Sequence, residues 1–186
     1  MNTITKRIFG GLTAVVILAL ALAVFVPTES VLAASSTGRG GPGGGTGGGA
    51  VGTAVTPLTQ AEKDGLQAAI LEEYKAYNIY QAAIQQLGAQ YPFSTISRSE
   101  LQHVSALSKL AVKYGVTVPA NPGLSPSLSF GTLQAACQMG VFAETEDAQL
   151  YDQLKTVTTH TDLIQVYNNL QSASLKSHLP AFQTCD

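Results

Sequence analysis

The stretch SRSELQHVSALSKL, Ser97–Leu110, decides the fold. Read as a helix, it puts Ile96, Leu107, Leu110 and Tyr114 on one stripe, at alternating steps of four and three. The same stripe contains Glu100 and His103. An apolar stripe at this period is the seam of a bundle helix. A carboxylate and an imidazole on it require partners, because an unpaired buried charge costs several kcal/mol or more, by order of magnitude.

Three further segments read the same way. The first helix opens with Thr59-Gln60-Ala61-Glu62, a capping box, and is expected to run to about Leu87, with Gly88 at C′. Its stripe is Leu66, Ile70, Glu73, Tyr77, Tyr80, Ile84, Leu87. The second covers roughly Ser94 to Lys113 and stops at Gly115, before the Pro-rich segment VPANPGLSPSLS. The third runs from Leu133 to about Lys155 with Thr132 as its cap, on a stripe of Leu133, Cys137, Gly140, Glu144, Asp147, Tyr151 and Leu154. The fourth begins near Thr161 or Asp162 and runs towards Phe182, with Leu163, Tyr167, Leu170, Ser174 and His178 inward. Pro180 is expected to kink or fray its last turn. The fold class is therefore all-α, an antiparallel four-helix bundle over residues 56–186.

Each of the four seams thus carries an acid or a histidine: Glu73; Glu100 and His103; Glu144 and Asp147; His178. One such residue would be a register device, or a member of a buried ion pair. Acids and imidazoles on all four point to a shared cation, and mixed carboxylate and imidazole donors suit iron or manganese. Glu-x-x-His puts both side chains on one helix face, one turn apart. Bringing Glu73 level with Glu100 is the demanding step. Glu73 lies ~22 Å from its helix end and Glu100 ~9 Å into the next helix, so residues 89–93 must run extended. His160, in a Thr-rich loop, is assigned no role, and Tyr77, Tyr80, Tyr151 and Tyr167 read as core residues or as tyrosines tuning a metal centre.

The blocks LTQAEKDGLQAAILEEYKAYNIY, FSTISRSELQHVSALSKLAVKYG, GVFAETEDAQLYDQL and DLIQVYNNLQSASLKSHLPAF resemble, in that order, a bacterial family of unknown function in the ferritin-like superfamily. Ser-Glu-x-x-His and His-Leu-x-Ala-Phe are the most specific parts. The resemblance implies a ferritin-like bundle with a di-iron centre, manganese being the alternative. Glu73, Ala76 and Tyr80 match a rubrerythrin-like Glu-x-x-Ala-x-x-x-Tyr; Glu100 and His103 match the second helix, Glu144 and Asp147 the third, His178 the fourth. The chain departs from the pattern at Leu175, where rubrerythrin-like proteins place a Glu. One carboxylate short, the site is open to one metal, to two with Asp147 substituting, or to none. The functions that follow are an oxygen- or peroxide-reactive metal protein or, alternatively, a non-catalytic helical module of the cell envelope with a degenerate site.

The N-terminus places the domain. Lys6 and Arg7 precede an apolar run to Val26 and a Val31-Leu32-Ala33 cleavage pattern, so residues 1–33 read as a secretory signal peptide. An uncleaved anchor is the other reading and is the case in which the protein would be membrane-tethered. Residues 34–55 are a flexible linker, with ten glycines among the fifteen residues Gly38–Gly52. The expected location is secreted or in the cell envelope. From Ala34 onward eight Lys/Arg face eleven Asp/Glu, with no basic patch interleaved with aromatics, so nucleic acid is not an expected partner. Cys137 starts the third helix and Cys185 follows the fourth, at the same end of an antiparallel hairpin. A disulfide is therefore within reach, and two buried free thiols are the alternative.

Overall fold

A computed structural model describes residues 56–125 and 127–185; the expected signal peptide and linker lie outside the described residues. The described residues contain helices and no strand: α1 (Gln60–Leu87), α2 (Phe93–Lys113), α3 (Leu133–Val157), α4 (Thr161–Ala173), a π-helical turn (Ser174–His178) and α5 (Leu179–Gln183). None is long and apolar enough to cross a membrane.

The ends follow from local chemistry. Thr59 and Glu62 form the expected capping box: the Glu62 amide donates to Thr59 Oγ1 (3.2 Å), and the Thr59 amide donates back to Glu62 Oε2 (2.8 Å). Gly88 closes α1 at φ 91°, a value that favours glycine. Helix α2 starts one residue before the expected Ser94, because the Ile96 amide already finds the Pro92 carbonyl at 2.9 Å. The Thr132 hydroxyl caps α3 by accepting the Ala135 amide (3.1 Å).

Helices α1 and α2 form one hairpin, and α3 with α4–α5 the other. The segment between the hairpins climbs the outside of α1. It is fixed by α1 side chains at three heights: Gln67 Nε2 donates to the Thr117 carbonyl (2.8 Å), Asn78 Nδ2 to Asn121 Oδ1 (2.7 Å) and the Gly123 carbonyl (3.0 Å), and Gln86 Oε1 accepts the Phe130 amide (2.7 Å). Three of these four bonds satisfy loop backbone groups, those of Thr117, Gly123 and Phe130, that have no helix or sheet to bond to.

The core has two apolar clusters. One contains Leu66, Ile70, Leu107, Tyr151, Leu163 and Tyr167; the other Tyr80, Phe93, Ile96, Ala143 and Phe182. In every helix the acids and histidines of the seam fall between the residues of these two clusters. The α1 stripe drifts from the expected one. Ala76 and Ala83 are buried, while Tyr77, Ile84 and Leu87 are half-exposed. A step averaging 3.5 residues slips against a 3.6-residue helix over this length.

Pro180 does not fray the chain; α5 continues through it. The irregularity comes earlier, as the π turn. In an unbroken α-helix residue 175 would precede His178 as Glu100 precedes His103. The π turn instead leaves Leu175 44% exposed and buries Ser174 completely. Cys137 and Cys185 are joined by a disulfide, Cα to Cα 5.8 Å, which ties the end of the chain to α3.

Candidate metal centre

Between the apolar clusters, all six residues singled out on the seams are buried, none more than 7% exposed. Five converge. His103 Nδ1 stands 3.0 Å from Glu73 Oε2 and 2.9 Å from Glu100 Oε2. His178 Nδ1 stands 3.1 Å from Glu100 Oε1 and 3.3 Å from Glu144 Oε2. Glu100 therefore turns one oxygen to each histidine, and the two imidazoles lie nearly parallel, ring centroids 5.4 Å apart. The donors form two groups of three, Glu73–Glu100–His103 and Glu100–Glu144–His178. Glu73 and Glu100 reach the same imidazole although residues 89–93 do not run extended as expected: residues 91 and 92 form a turn, Phe93 is already helical, and the Gln90 amide donates to the Gly88 carbonyl (2.8 Å).

Asp147 belongs to neither group. It is 1% exposed, and neither of its oxygens has a hydrogen-bond partner. The same holds for both oxygens of Glu100, for Glu144 Oε2 and for His178 Nδ1, despite the short separations. Close approach without hydrogen-bond alignment is how two ligands of one cation stand. Bonds of about 2.0–2.2 Å at near right angles leave donor atoms about 3 Å apart. The donor set and its orphaned atoms fit a metal ion.

The outer oxygens are held by tyrosines. Tyr80 donates its hydroxyl to Glu144 Oε1 (2.6 Å), and Tyr151 donates to Glu73 Oε1. Tyr80 is enclosed by Phe93 and Phe182, whereas Tyr151 stacks obliquely on Tyr167, centroids 5.6 Å apart. Ser99 Oγ lies 3.3 Å from His103 Nε2.

The electrostatics favour retained protons. Burial raises Asp147 well above the usual carboxylate range, reinforced by the charges of Glu73, Glu144 and Glu100. Burial also raises Glu73 and Glu144. For Glu100 burial is outweighed by His103 and His178, which hold its carboxyl low. Burial alone would lower both imidazoles, but Glu100 and Glu73 push His103 up to about 10, and Glu100 and Glu144 push His178 up to about 9. A cation entering this cluster would displace those protons.

His160 has a place that its sequence context did not signal. Its Nδ1 lies 2.7 Å from Glu62 Oε1 and its Nε2 3.2 Å from the Thr56 carbonyl, while Thr158 donates to the same Glu62 oxygen (2.6 Å). The capping carboxylate of α1 thereby pins the α3–α4 loop. The one available signal was that Glu62, as a capping-box residue, needed donors.

No family model and no curated protein matches the chain. Among solved structures it is similar to a hypothetical protein from Methanococcus jannaschii DSM 2661, with a TM-score of 0.61 and 24% identity, over 69% of this chain and 81% of that one. The likeness shows the fold.

Proposed function

We propose that this is an exported, ferritin-like protein that binds a pair of non-haem metal ions, iron first and manganese as the alternative, and acts on oxygen or peroxide. The observation that carries this reading is Glu100, a buried carboxylate offering one unbonded oxygen to each of two histidines. Glu73 and Glu144 would complete the two positions, with Asp147 as the additional carboxylate. Two hairpins joined by one long crossover are also the connectivity of ferritin-like bundles. The disulfide fits an oxidising compartment.

Bound iron would supply the redox chemistry that reduction of oxygen or peroxide needs. The chain's own part is positioning: Tyr80 and Tyr151 orient Glu144 and Glu73, and the two apolar clusters keep bulk water from the carboxylates. Elemental analysis of protein exported to a periplasm and purified without chelator tests the binding. Near two iron or manganese per chain are expected, lost in Glu100→Ala/His103→Ala. Metal-dependent peroxide turnover that survives His103→Ala would remove the catalytic part.

One observation favours the second reading, a non-catalytic envelope module with a degenerate site. The π turn that carries His178 brings no carboxylate to the site, since Leu175 is 44% exposed and Ser174 is the residue buried there. No metal uptake after anaerobic Fe(II), with the double variant equally folded, would select it.

A further inference from the structure

Glu100 is common to both donor groups, so the groups differ in what surrounds their histidines. His103 donates its Nδ1–H to Glu73 Oε2 (3.0 Å), with Glu100 Oε2 2.9 Å away, and on its other side Nε2 meets Ser99 Oγ at 3.3 Å. Ser99 stands four residues earlier on α2, so this contact is built by helix geometry alone. His178 Nε2 makes no hydrogen bond among the described residues, and His178 sits in the π turn, where α4 loses its regular register. An imidazole ligand must present a bare nitrogen, and the acceptor of the opposite N–H fixes which nitrogen that is.

We propose that Ser99 is a positioning residue: it accepts the Nε2–H of His103, so that Nδ1, whose proton Glu73 accepts in this structure, is the nitrogen a cation would take, and so makes that position the first of the two to fill. The proposal rests on the metal-binding reading above. It assigns a physical task to the serine that directly precedes Glu100, a residue that touches no metal itself. It also makes the two positions unequal, with Glu100–Glu144–His178 as the later and weaker one.

The test is an anaerobic titration of the metal-free protein with Co(II), followed by visible absorption. Two steps are expected. Ser99→Ala should weaken the first about tenfold and leave the second in place, because loss of such an outer hydrogen bond costs about 10- to 100-fold in affinity. Ser99→Thr, which keeps the hydroxyl, should restore it. A second readout is independent of affinity. In the Zn(II)-loaded protein, nitrogen-15 spectra should show His103 protonated at Nε2 with a slowly exchanging proton, and Ser99→Ala should speed that exchange. Wild-type loading in two steps, with Ser99→Ala indistinguishable in both readouts, would overturn the role of Ser99 alone. Equal weakening of both steps would overturn the filling order. A wild-type chain that takes up neither cobalt nor zinc would overturn the metal reading, and this assignment with it.

Discussion

Glu62 and His160 form a titrating pair remote from the candidate centre, and its pH signature has a definite sign. Burial would raise the Glu62 carboxyl, but Thr158, Thr59 and His160 outweigh it and hold it at about 2 against an ordinary 4.5. A depressed carboxylate contributes stability above about pH 4.5 that is lost as pH falls towards 2. His160 is raised from 6.5 by its bond to Glu62, against a smaller burial effect. Its contribution is complete below 6.5 and is lost as pH rises through the raised value. The pair should therefore support the fold most between pH 4.5 and 6.5. We expect Glu62→Ala to cost about 2 kcal/mol at pH 6, from the cap and the charged hydrogen bonds together, and to flatten the acid limb of a melting-temperature profile. At the candidate centre the proposed metal binding would couple to pH as well. Loading must expel imidazolium protons from His103 and His178, so affinity should rise with pH from 6 to 8 and titration in weak buffer should release acid. Metal uptake without proton release would contradict the assignment of both histidines as ligands.

Among the elements, α3 and the π turn set where His178 stands. A methyl group at Gly140 would meet the Phe182 ring at 2.4 Å, and that ring packs on Tyr80 and Phe93, centroids 4.8 and 5.2 Å away. The ring has nowhere to move without α5. At Gly65 the clash is with the tip of Leu154 at 2.7 Å, which can rotate. Alanine gains roughly 0.5–1 kcal/mol of helix propensity at either site. Overpacking costs about 1–3 kcal/mol. Gly140→Ala should therefore be destabilising by about 1–2 kcal/mol and weaken metal uptake through His178, whereas Gly65→Ala should be near neutral. Urea midpoints of the two variants, measured side by side, check the contrast. The crossover makes a parallel case. The bonds from Gln67, Asn78 and Gln86 reach residues more than forty positions away, and no periodicity in the chain marks those three polar side chains.

For the whole molecule, the Cys137–Cys185 bridge spans 48 residues and holds the end of the chain that carries His178. Closing a loop of that length contributes about 2–4 kcal/mol. Cys137→Ser/Cys185→Ser should lower stability by that amount in denaturant titrations. If the candidate centre binds as proposed, saturating metal should recover part of the loss, because a ligand that binds only the native state stabilises it by mass action. A double variant as stable as the native chain would place the anchorage of α5 in the Phe182 packing alone.

What the sequence by itself determined is periodic and local. Amphipathic spacing placed the four helical segments to within a residue or two, the capping box and Gly88 marked the limits of α1, and Glu73, Glu100, His103, Glu144, Asp147 and His178 stood out as polar residues on apolar seams. Apolar burial dictates such spacing wherever a helix packs, so it is written into each segment separately. Convergence is a different matter. Only the tertiary structure decided that Glu100 faces both histidines, that Asp147 stands apart from both donor groups, that the π turn exchanges Leu175 for Ser174, and that His160 closes on Glu62. Each depends on how helices are levelled and rotated against one another. That is set by loop paths and side-chain packing between residues distant in the chain, where helical periodicity carries no information.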